Sequence, residues 1–203
     1  MLTVQSLSCR RSGHVVFRDI AFTAKPGDFV LVTGANGSGK SSLLRVLAAL
    51  LVPASGNLLW NTLDIEGDKA AHRGRLHYIG HLDAVKPELT VCEMLDYWRA
   101  LRGAEKADLS KCLDAFALNK LALRQGRSLS AGQKRRLSLT RLMMDEAPLW
   151  LLDEPTTALD KDGQKLLWQQ IIRHRSQGGI VIAAMHEEPD MPGMTRVVME
   201  GVG

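Results

Sequence analysis

Short segments that alternate between polar and apolar residues open the chain and predict antiparallel β-strands. Residues 2–22 show this alternation on both sides of a turn at Ser12 and Gly13. Residues 28–34 then form an apolar run that ends in glycine, and residues 40–51 form a predicted helix that is apolar on nearly all faces. Strand, glycine-rich loop and buried helix in this order are typical of an α/β protein.

The remaining chain alternates predicted strands with predicted helices. Residues 90–118 interrupt this alternation with two helical segments, which we interpret as a helical insertion. The other predicted elements are a hairpin strand at residues 55–65, strands at residues 75–82, 147–155, 180–188 and 195–202, and a helix at residues 161–179. We therefore expect a largely parallel sheet flanked by helices, with an antiparallel section at its start.

Composition narrows the class of protein only slightly. Of the 203 residues, 45% are apolar and 24% are charged, which is average for a soluble globular domain, and the net charge of +4 is too small to indicate a nucleic-acid partner. Three cysteines without C-x-x-C spacing predict buried reduced thiols. The longest apolar stretch, residues 46–53, is far shorter than the ~20 residues that cross a bilayer. We expect a partner to supply any membrane-spanning helices.

The segment "GANGSGKSS" matches the phosphate-loop pattern G-x-x-x-x-G-K-[ST] and lies between a predicted strand and a predicted helix. Its backbone N–H groups are expected to surround the phosphates of a nucleotide, assisted by the helix N-terminus. Lys40 would reach the β and γ phosphates, and the Ser41 hydroxyl would bind Mg²⁺. A chance glycine-rich turn is the alternative. The expected nucleotide contacts are Gly34, Ala35, Asn36, Gly37, Ser38, Gly39, Lys40, Ser41 and Ser42.

Two carboxylates end the apolar strand "LWLLDEP" and provide candidate hydrolytic chemistry. Asp153 can hold Mg²⁺ through water, and Glu154 can polarise an attacking water as a general base. The alternative is that both acids only open a turn before Pro155. The phosphate loop elsewhere in the chain favours the catalytic interpretation.

Four ordered motifs resemble those of the ATP-binding subunits of ABC transporters, and the likeness covers essentially the whole chain. They are the phosphate loop, "LSAGQ" at residues 129–133, "LLDEPTTALD" at residues 151–160 and "AAMHEEP" at residues 183–189. The resemblance implies an α/β P-loop NTPase of ABC ATPase type, with a mixed sheet, an antiparallel β section and a helical subdomain. It implies one domain, with a catalytic core at residues 1–80 and 131–203 and the helical subdomain at residues 82–130.

The resemblance also implies roles for residues outside the phosphate loop. In that family two subunits enclose two ATP molecules with Mg²⁺, and the signature of one subunit covers the γ-phosphate held by the other. This implies a homodimer in which Lys40, Glu154 and His186 are catalytic and His186 contacts the γ-phosphate. The implied ATP contacts from the signature and the loop after the acids are Ser130, Gly132, Gln133 and Asp160.

Three positions depart from the family pattern. His81 stands where the family usually has a glutamine that coordinates Mg²⁺ and senses the membrane partner. Arg11 stands near the usual adenine-stacking aromatic and could stack through its guanidinium plane, whereas Phe17 is expected in the core. Ala131 replaces the second signature glycine and would be strained if its backbone needed a glycine conformation.

Local features resemble the branch of the family that serves haem export in bacterial cytochrome c maturation. These features are the small size, "YIGH" in place of the usual glutamine motif, and "LSAGQKRR". The resemblance implies an ATPase at the cytoplasmic side of the inner membrane, with an integral membrane permease and accessory subunits as partners. Without a C-x-x-C-H motif, no direct haem binding is expected. The alternatives are an ATPase of another small-molecule, drug or lipid transporter and a soluble non-transport ABC ATPase.

The basic triplet that follows the signature has two interpretations. We expect Lys134, Arg135 and Arg136 to form a solvated helix turn near phosphate rather than a nucleic-acid patch, with a polar stripe formed by Lys134, Ser138, Arg141 and Asp145. Tyr97 and Trp98 in the helical insertion either dock a membrane partner or belong to the core of the insertion.

Overall fold

The computed structural model describes residues 1–201, so Val202, at which the last predicted strand ended, lies outside the described residues. The chain folds into two compact units. The core unit comprises Met1–Gly80, Ala147–Glu154 and the described residues from His174 onward, and the helical unit comprises His81–Glu146 and Pro155–Arg173. The helical unit thus includes most of residues 131–173, which the sequence analysis assigned to the catalytic core.

The core unit contains two β-sheets. Its strands are β1 (Leu2–Arg11), β2 (His14–Ala24), β3 (Phe29–Gly34), β4 (Ser55–Trp60), β5 (Leu63–Asp64), β6 (Leu76–Ile79), β7 (Leu149–Asp153), β8 (Ile180–Ala184) and β9 (Met194–Met199). The first sheet is antiparallel with the order β2-β1-β4-β5, and the second is parallel with the order β6-β7-β8-β3-β9. The predicted α/β class, with an antiparallel section at the start, is confirmed.

The register of the parallel sheet determines where functional groups meet. Val32 of β3 and Asp153 of β7 both pair with Ala184 of β8, so the carboxyl ends of these three strands lie side by side. Both β7 and β8 are buried along their whole length. Ligands of open α/β sheets bind beyond the carboxyl ends of the strands, and this edge is therefore the expected site.

The described helices are α1 (Lys40–Leu47), α2 (Lys69–Gly74), α3 (Val91–Arg102), α4 (Leu109–Ala115), α5 (Ala131–Leu139) and α6 (Lys161–Ser176). The first of them fills the core unit, where Leu43, Leu44 and Leu47 are fully buried in one hydrophobic cluster with residues of both sheets. This helix ends before the predicted residue 51 because Ala49 adopts a left-handed backbone with a φ of 53°. The apolar residues beyond it continue without helical geometry.

Two helices of the helical unit begin at side-chain caps. Thr90 and Glu93 form a reciprocal capping box at the start of α3, and Gly103 ends this helix with a φ of 67°. Asp108 caps α4 by accepting hydrogen bonds from two backbone N–H groups. The short helix α2 in the core unit was not predicted, because its six residues are too few to show an apolar period. None of the helices within residues 1–201 has the length and apolarity required to cross a membrane.

Candidate nucleotide site

The phosphate loop connects β3 to α1 at the carboxyl edge of the parallel sheet. Gly39 is the N-cap of α1 with a φ of 98°, and a Cβ atom at this position would lie 2.8 Å from Cγ1 of Val16. Only glycine combines this left-handed backbone with so close a neighbour without strain. The loop therefore turns directly into the N-terminus of α1, a position that favours an anion.

Two side chains of this loop, Lys40 and Ser38, have surroundings that suit the binding of phosphate. Lys40 is 8% exposed, and its Nζ donates hydrogen bonds to the carbonyl oxygens of Gly34 at 2.8 Å and Ala35 at 3.2 Å. Ser38 is 2% exposed, and its Oγ has no hydrogen-bond partner among residues 1–201. A buried hydroxyl without a partner carries a desolvation cost that a phosphate oxygen can remove.

The predicted magnesium ligands of the core unit lie next to each other. Oγ of Ser41 donates to Oδ1 of Asp153 at 3.0 Å, and Asp153 is 1% exposed at the end of β7. Burial raises the pKa of the nearby Tyr78 hydroxyl. A hydrogen bond with Arg45 lowers this pKa, and the charge of Asp153 raises it. Hydroxyl and carboxylate oxygens fit Mg²⁺, which is usually held by one or two carboxylates together with phosphate and water.

A larger protein cage for a metal ion is not found among the described residues. Within residues 1–201, no group of three or more His, Cys, Asp or Glu side chains is arranged to hold a metal ion. The Ser41 and Asp153 pair would therefore hold Mg²⁺ only together with the phosphates of a bound nucleotide and with water.

Glu154 and His186 meet at the same edge of the sheet. Nε2 of His186 lies 3.3 Å from Oε1 of Glu154, and the Glu154 side chain is only 15% exposed while that of His186 is 53% exposed. Glu154 has a left-handed backbone with a φ of 48°, and its N–H donates to the carbonyl of Ala184 at 2.9 Å. A carboxylate that lies beside an imidazole, on a backbone anchored by its own N–H, is placed to accept a proton from water.

A comparison with known protein families identifies the family of this chain. Residues 17–157 match the model of the ABC transporter family. This chain belongs to the ABC transporter family. The match covers the phosphate loop, the signature segment and both acids, so the resemblance stated from the sequence is confirmed.

Relatives and solved structures agree with this membership. The ABC subunit is 48% identical over 196 residues to the cytochrome c biogenesis ATP-binding export protein CcmA of Rhodospirillum rubrum, with 97% of this chain and 84% of that protein covered. It is 25% identical to a solved ATP-binding subunit of an ABC transporter, with a TM-score of 0.82 and 92% and 79% coverage. A dimeric ATP-binding cassette in a post-hydrolysis state with ADP and Pi is 21% identical, with a TM-score of 0.76 and 92% and 88% coverage, and shares the fold.

The ABC signature lies in the helical unit, where it forms the start of α5. Ser130 and Gln133 form a capping box: the Gln133 N–H donates to the Ser130 hydroxyl at 3.2 Å, and the Ser130 N–H donates to Oε1 of Gln133 at 2.9 Å. Ala131 is the first helical residue and is exposed, so the departure from glycine introduces no backbone strain. A Cβ atom on Gly132 would lie 2.8 Å from the Ala158 carbonyl oxygen, which explains why a glycine follows Ala131.

The other predicted contacts of the ABC subunit are exposed residues. Asp160 and His81 are exposed residues of the helical unit. Oδ1 of Asp160 accepts a hydrogen bond from the Gly163 N–H at 2.8 Å. Arg11 is exposed at the end of β1, and Phe17 is in the hydrophobic core, as expected.

The predicted solvated turn after the signature is wrong at Arg135. This side chain is 2% exposed, and Ser138 of the expected polar stripe is fully buried. Arg135 shares one helical face with Leu139 and Leu142, at spacings of four and seven residues, so its period could have revealed the buried position. Trp98 is 6% exposed and belongs to the core of the helical unit, whereas Tyr97 is 39% exposed.

Proposed function

We propose that this ABC subunit energises haem export, or the release of a haem chaperone, in bacterial cytochrome c maturation. The carrying observation is the 48% identity to a relative named for that pathway, which extends over 97% of this chain. The working assembly contains two copies of the subunit, bound to an integral membrane permease and accessory subunits at the cytoplasmic side of the inner membrane. Haem is bound by these partners, and neither haem nor nucleic acid binds to this chain.

Hydrolysis begins with the phosphates of ATP in the loop between β3 and α1. The Lys40 ammonium exchanges its two carbonyl acceptors for oxygens of the β and γ phosphates, and the buried Ser38 hydroxyl donates to a phosphate oxygen. Ser41 and Asp153 would hold Mg²⁺, which when bound would neutralise charge on the phosphates. The loop thereby fixes the γ-phosphate for in-line attack.

Glu154 then takes the proton of the attacking water as the water oxygen bonds to the γ-phosphorus. The bond to the ADP oxygen breaks, and inorganic phosphate and ADP are the products. His186 holds the carboxylate through its 3.3 Å contact and faces the γ-phosphate. The proton finally returns from Glu154 to solvent or phosphate.

The second subunit completes the site. The Ser130 hydroxyl and the Gly132 N–H donate to the γ-phosphate from the N-terminal turn of α5, where the helix dipole also favours negative charge. Gln133 and Asp160 border the same phosphate. Arg11 stacks its guanidinium on the adenine, and His81, in place of the sensing glutamine, would contact Mg²⁺.

Exchange of the proposed base tests the mechanism. Glu154→Gln should retain ATP binding, stabilise the dimer and lower the turnover rate by ~10²–10⁴-fold, because the amide cannot accept the proton. The exposed Glu146 provides a matched control, since Glu146→Gln removes the same charge in the helical unit. Turnover of Glu154→Gln at the wild-type rate would remove the general-base assignment.

Deletion of the gene tests the pathway. We expect the deletion strain to contain c-type cytochromes without covalent haem, measured by haem staining, and expect rescue by wild-type and Glu146→Gln but not by Glu154→Gln. Normal cytochrome levels in the deletion strain would reject the haem pathway. In that case, identification of the copurifying membrane protein would assign the subunit to another small-molecule, drug or lipid transporter.

A further inference from the structure

Arg135 is a buried charge that the hydrolytic mechanism does not use. It lies in α5, two residues after the signature, and is 2% exposed. A buried guanidinium is costly to desolvate and is tolerated only where partners satisfy it. Its partners therefore indicate why an arginine occupies this position.

The guanidinium of Arg135 joins two separate segments of the helical unit. Nη1 lies 3.1 Å from Oδ1 of Asp83, which belongs to the loop that follows β6, and Nε donates to the Pro155 carbonyl oxygen at 3.3 Å. The planar guanidinium can make both bonds at once because its donors point in different fixed directions. A lysine has one compact ammonium and cannot reproduce this geometry.

Further charged and aromatic groups enclose this pair. Arg141 lies with its guanidinium carbon 5.2 Å from the ring centre of Trp98, and its Nε donates to the Ser138 carbonyl. Burial lowers the pKa of Arg141 to about 10. The charge of Arg135 also lowers this pKa, and the charge of Asp83 raises it. Asp83 is thus the anion shared by two arginines, and its loop is tied to the polar interior of the unit.

The second contact of Arg135 is on the residue bonded to Glu154. The N–H of Glu154 is anchored on the Ala184 carbonyl, and the carbonyl of the following Pro155 is anchored on Arg135. Glu154 also has a left-handed backbone, which for a non-glycine residue persists only when its surroundings hold it. Anchors on both sides of the residue therefore hold the direction in which its carboxylate points.

We propose that Arg135 is a positioning residue for ATP hydrolysis, which holds the segment after Glu154 in register with the loop that contains Asp83. The inference rests on the proposed role of Glu154 as general base. Arg135 does not touch the nucleotide in this proposal; it acts through the Pro155 carbonyl. Movement of the Asp83 loop shifts the guanidinium and thereby the backbone that carries the base.

Variants of Asp83 test the proposal, since its side chain is 26% exposed and its truncation leaves the fold less disturbed than truncation of Arg135. Asp83→Ala should lower kcat about tenfold to a hundredfold, because displacement of a reacting group by about 1 Å costs up to ~10²-fold. The KM for ATP should stay within about threefold, because the phosphate contacts are elsewhere. Asp83→Glu, which retains an anion for Arg135, should recover most of kcat.

A second ion pair of the helical unit provides the control for lost stability. Arg102 and Asp145 lie 2.9 Å apart with side chains that are 21% and 34% exposed, a burial similar to that of Asp83. Arg102→Met should lower the unfolding temperature as Asp83→Ala does, but should leave kcat within about twofold of the wild type. A positioning role thus separates the two variants by kcat, whereas a structural role does not.

The outcomes separate failure of this inference from failure of the hydrolytic assignment. ATPase assays of the purified full chain, with and without its membrane partner, give kcat and KM, and ATP-dependent dimerisation in the Glu154→Gln background measures binding alone. The proposal is overturned if Asp83→Ala retains wild-type kcat, if Asp83→Glu gives no recovery, or if Asp83→Ala prevents ATP binding in that background. Turnover by Glu154→Gln alone would instead overturn the base assignment.

Discussion

Two adjacent signature positions, Ala131 and Gly132, should differ in how much an exchange between glycine and alanine disturbs them. In Gly132→Ala, the new Cβ would lie 2.8 Å from the Ala158 carbonyl oxygen, closer than real contacts of this kind. Overpacking of this type costs about 1–3 kcal/mol, and the better helix propensity of alanine returns up to about 1 kcal/mol. We expect a net loss of up to about 2 kcal/mol, which lowers the unfolding temperature by up to roughly 8 °C in a domain of this size.

Ala131→Gly is the matched comparison, because Ala131 is exposed and already has helical backbone. Glycine should cost at most about 1 kcal/mol through its larger unfolded-state entropy and leave the backbone path of the turn unchanged. We therefore expect ATPase activity within about twofold of the wild type. Gly132→Ala should lose at least about tenfold, because it displaces the backbone N–H groups that are proposed to face phosphate.

Thermal unfolding and steady-state ATPase assays of both variants, purified in the same buffer, decide the question. If Gly132→Ala had wild-type stability and activity, the Ala158 carbonyl would have moved away from the new Cβ without loss of free energy of unfolding, contrary to the prediction. Strong loss of activity in Ala131→Gly would show that the alanine methyl group itself contacts ATP or the opposite subunit.

Three further predictions follow from burial and charge. Lys40→Ala should weaken ATP binding at least about tenfold in a nucleotide titration, because the phosphates lose their cation; unchanged affinity would contradict the phosphate-loop assignment. Burial lowers the pKa of His174, stacked on Trp150 with ring centroids 3.9 Å apart, to about 4 from 6.5. Between pH 4 and pH 6.5 the unfolded state therefore binds more protons than the folded state. The free energy of unfolding should fall by roughly 2 kcal/mol from pH 6.5 to pH 4, and His174→Phe should reduce this dependence on pH. Trp98→Ala should destabilise the protein by about 3 kcal/mol in denaturant unfolding, whereas Tyr97→Ala should change stability by less than about 1 kcal/mol; equal effects would contradict the assignment of Trp98 to the core.

The phosphate loop and the acids were predictable because the local sequence of each motif specifies the backbone elements around it. The G-x-x-x-x-G-K-S pattern specifies a turn into a helix, and an apolar strand that ends in two acids places them at the carboxyl edge of a parallel sheet. The register that brings Glu154 to His186 follows from neighbouring strands of that sheet. Local patterns and one topological rule thus sufficed for this part of the site.

The end of α1 and the burial of Arg135 were missed, because the first depends on a single backbone angle and the second on long-range partners. The left-handed Ala49 ends α1 within an apolar run whose pattern continues to residue 51. Arg135 is buried because Asp83, 52 residues earlier, and Pro155, 20 residues later, satisfy its guanidinium. The residue type suggested solvent, and only the periodicity of the helix opposed that interpretation.

The two hydrogen bonds that Lys40 donates to carbonyl oxygens imply that the proposed nucleotide binding exchanges one set of acceptors for another. In the structure the ammonium is bound by Gly34 and Ala35, so the loop contains an internal competitor for its own cation. With Lys40 as an ATP contact, as proposed, the phosphates would replace neutral acceptors by anionic ones, which are stronger partners. Loss of Lys40 should therefore loosen the loop even without nucleotide, because it removes the hydrogen bonds to Gly34 and Ala35.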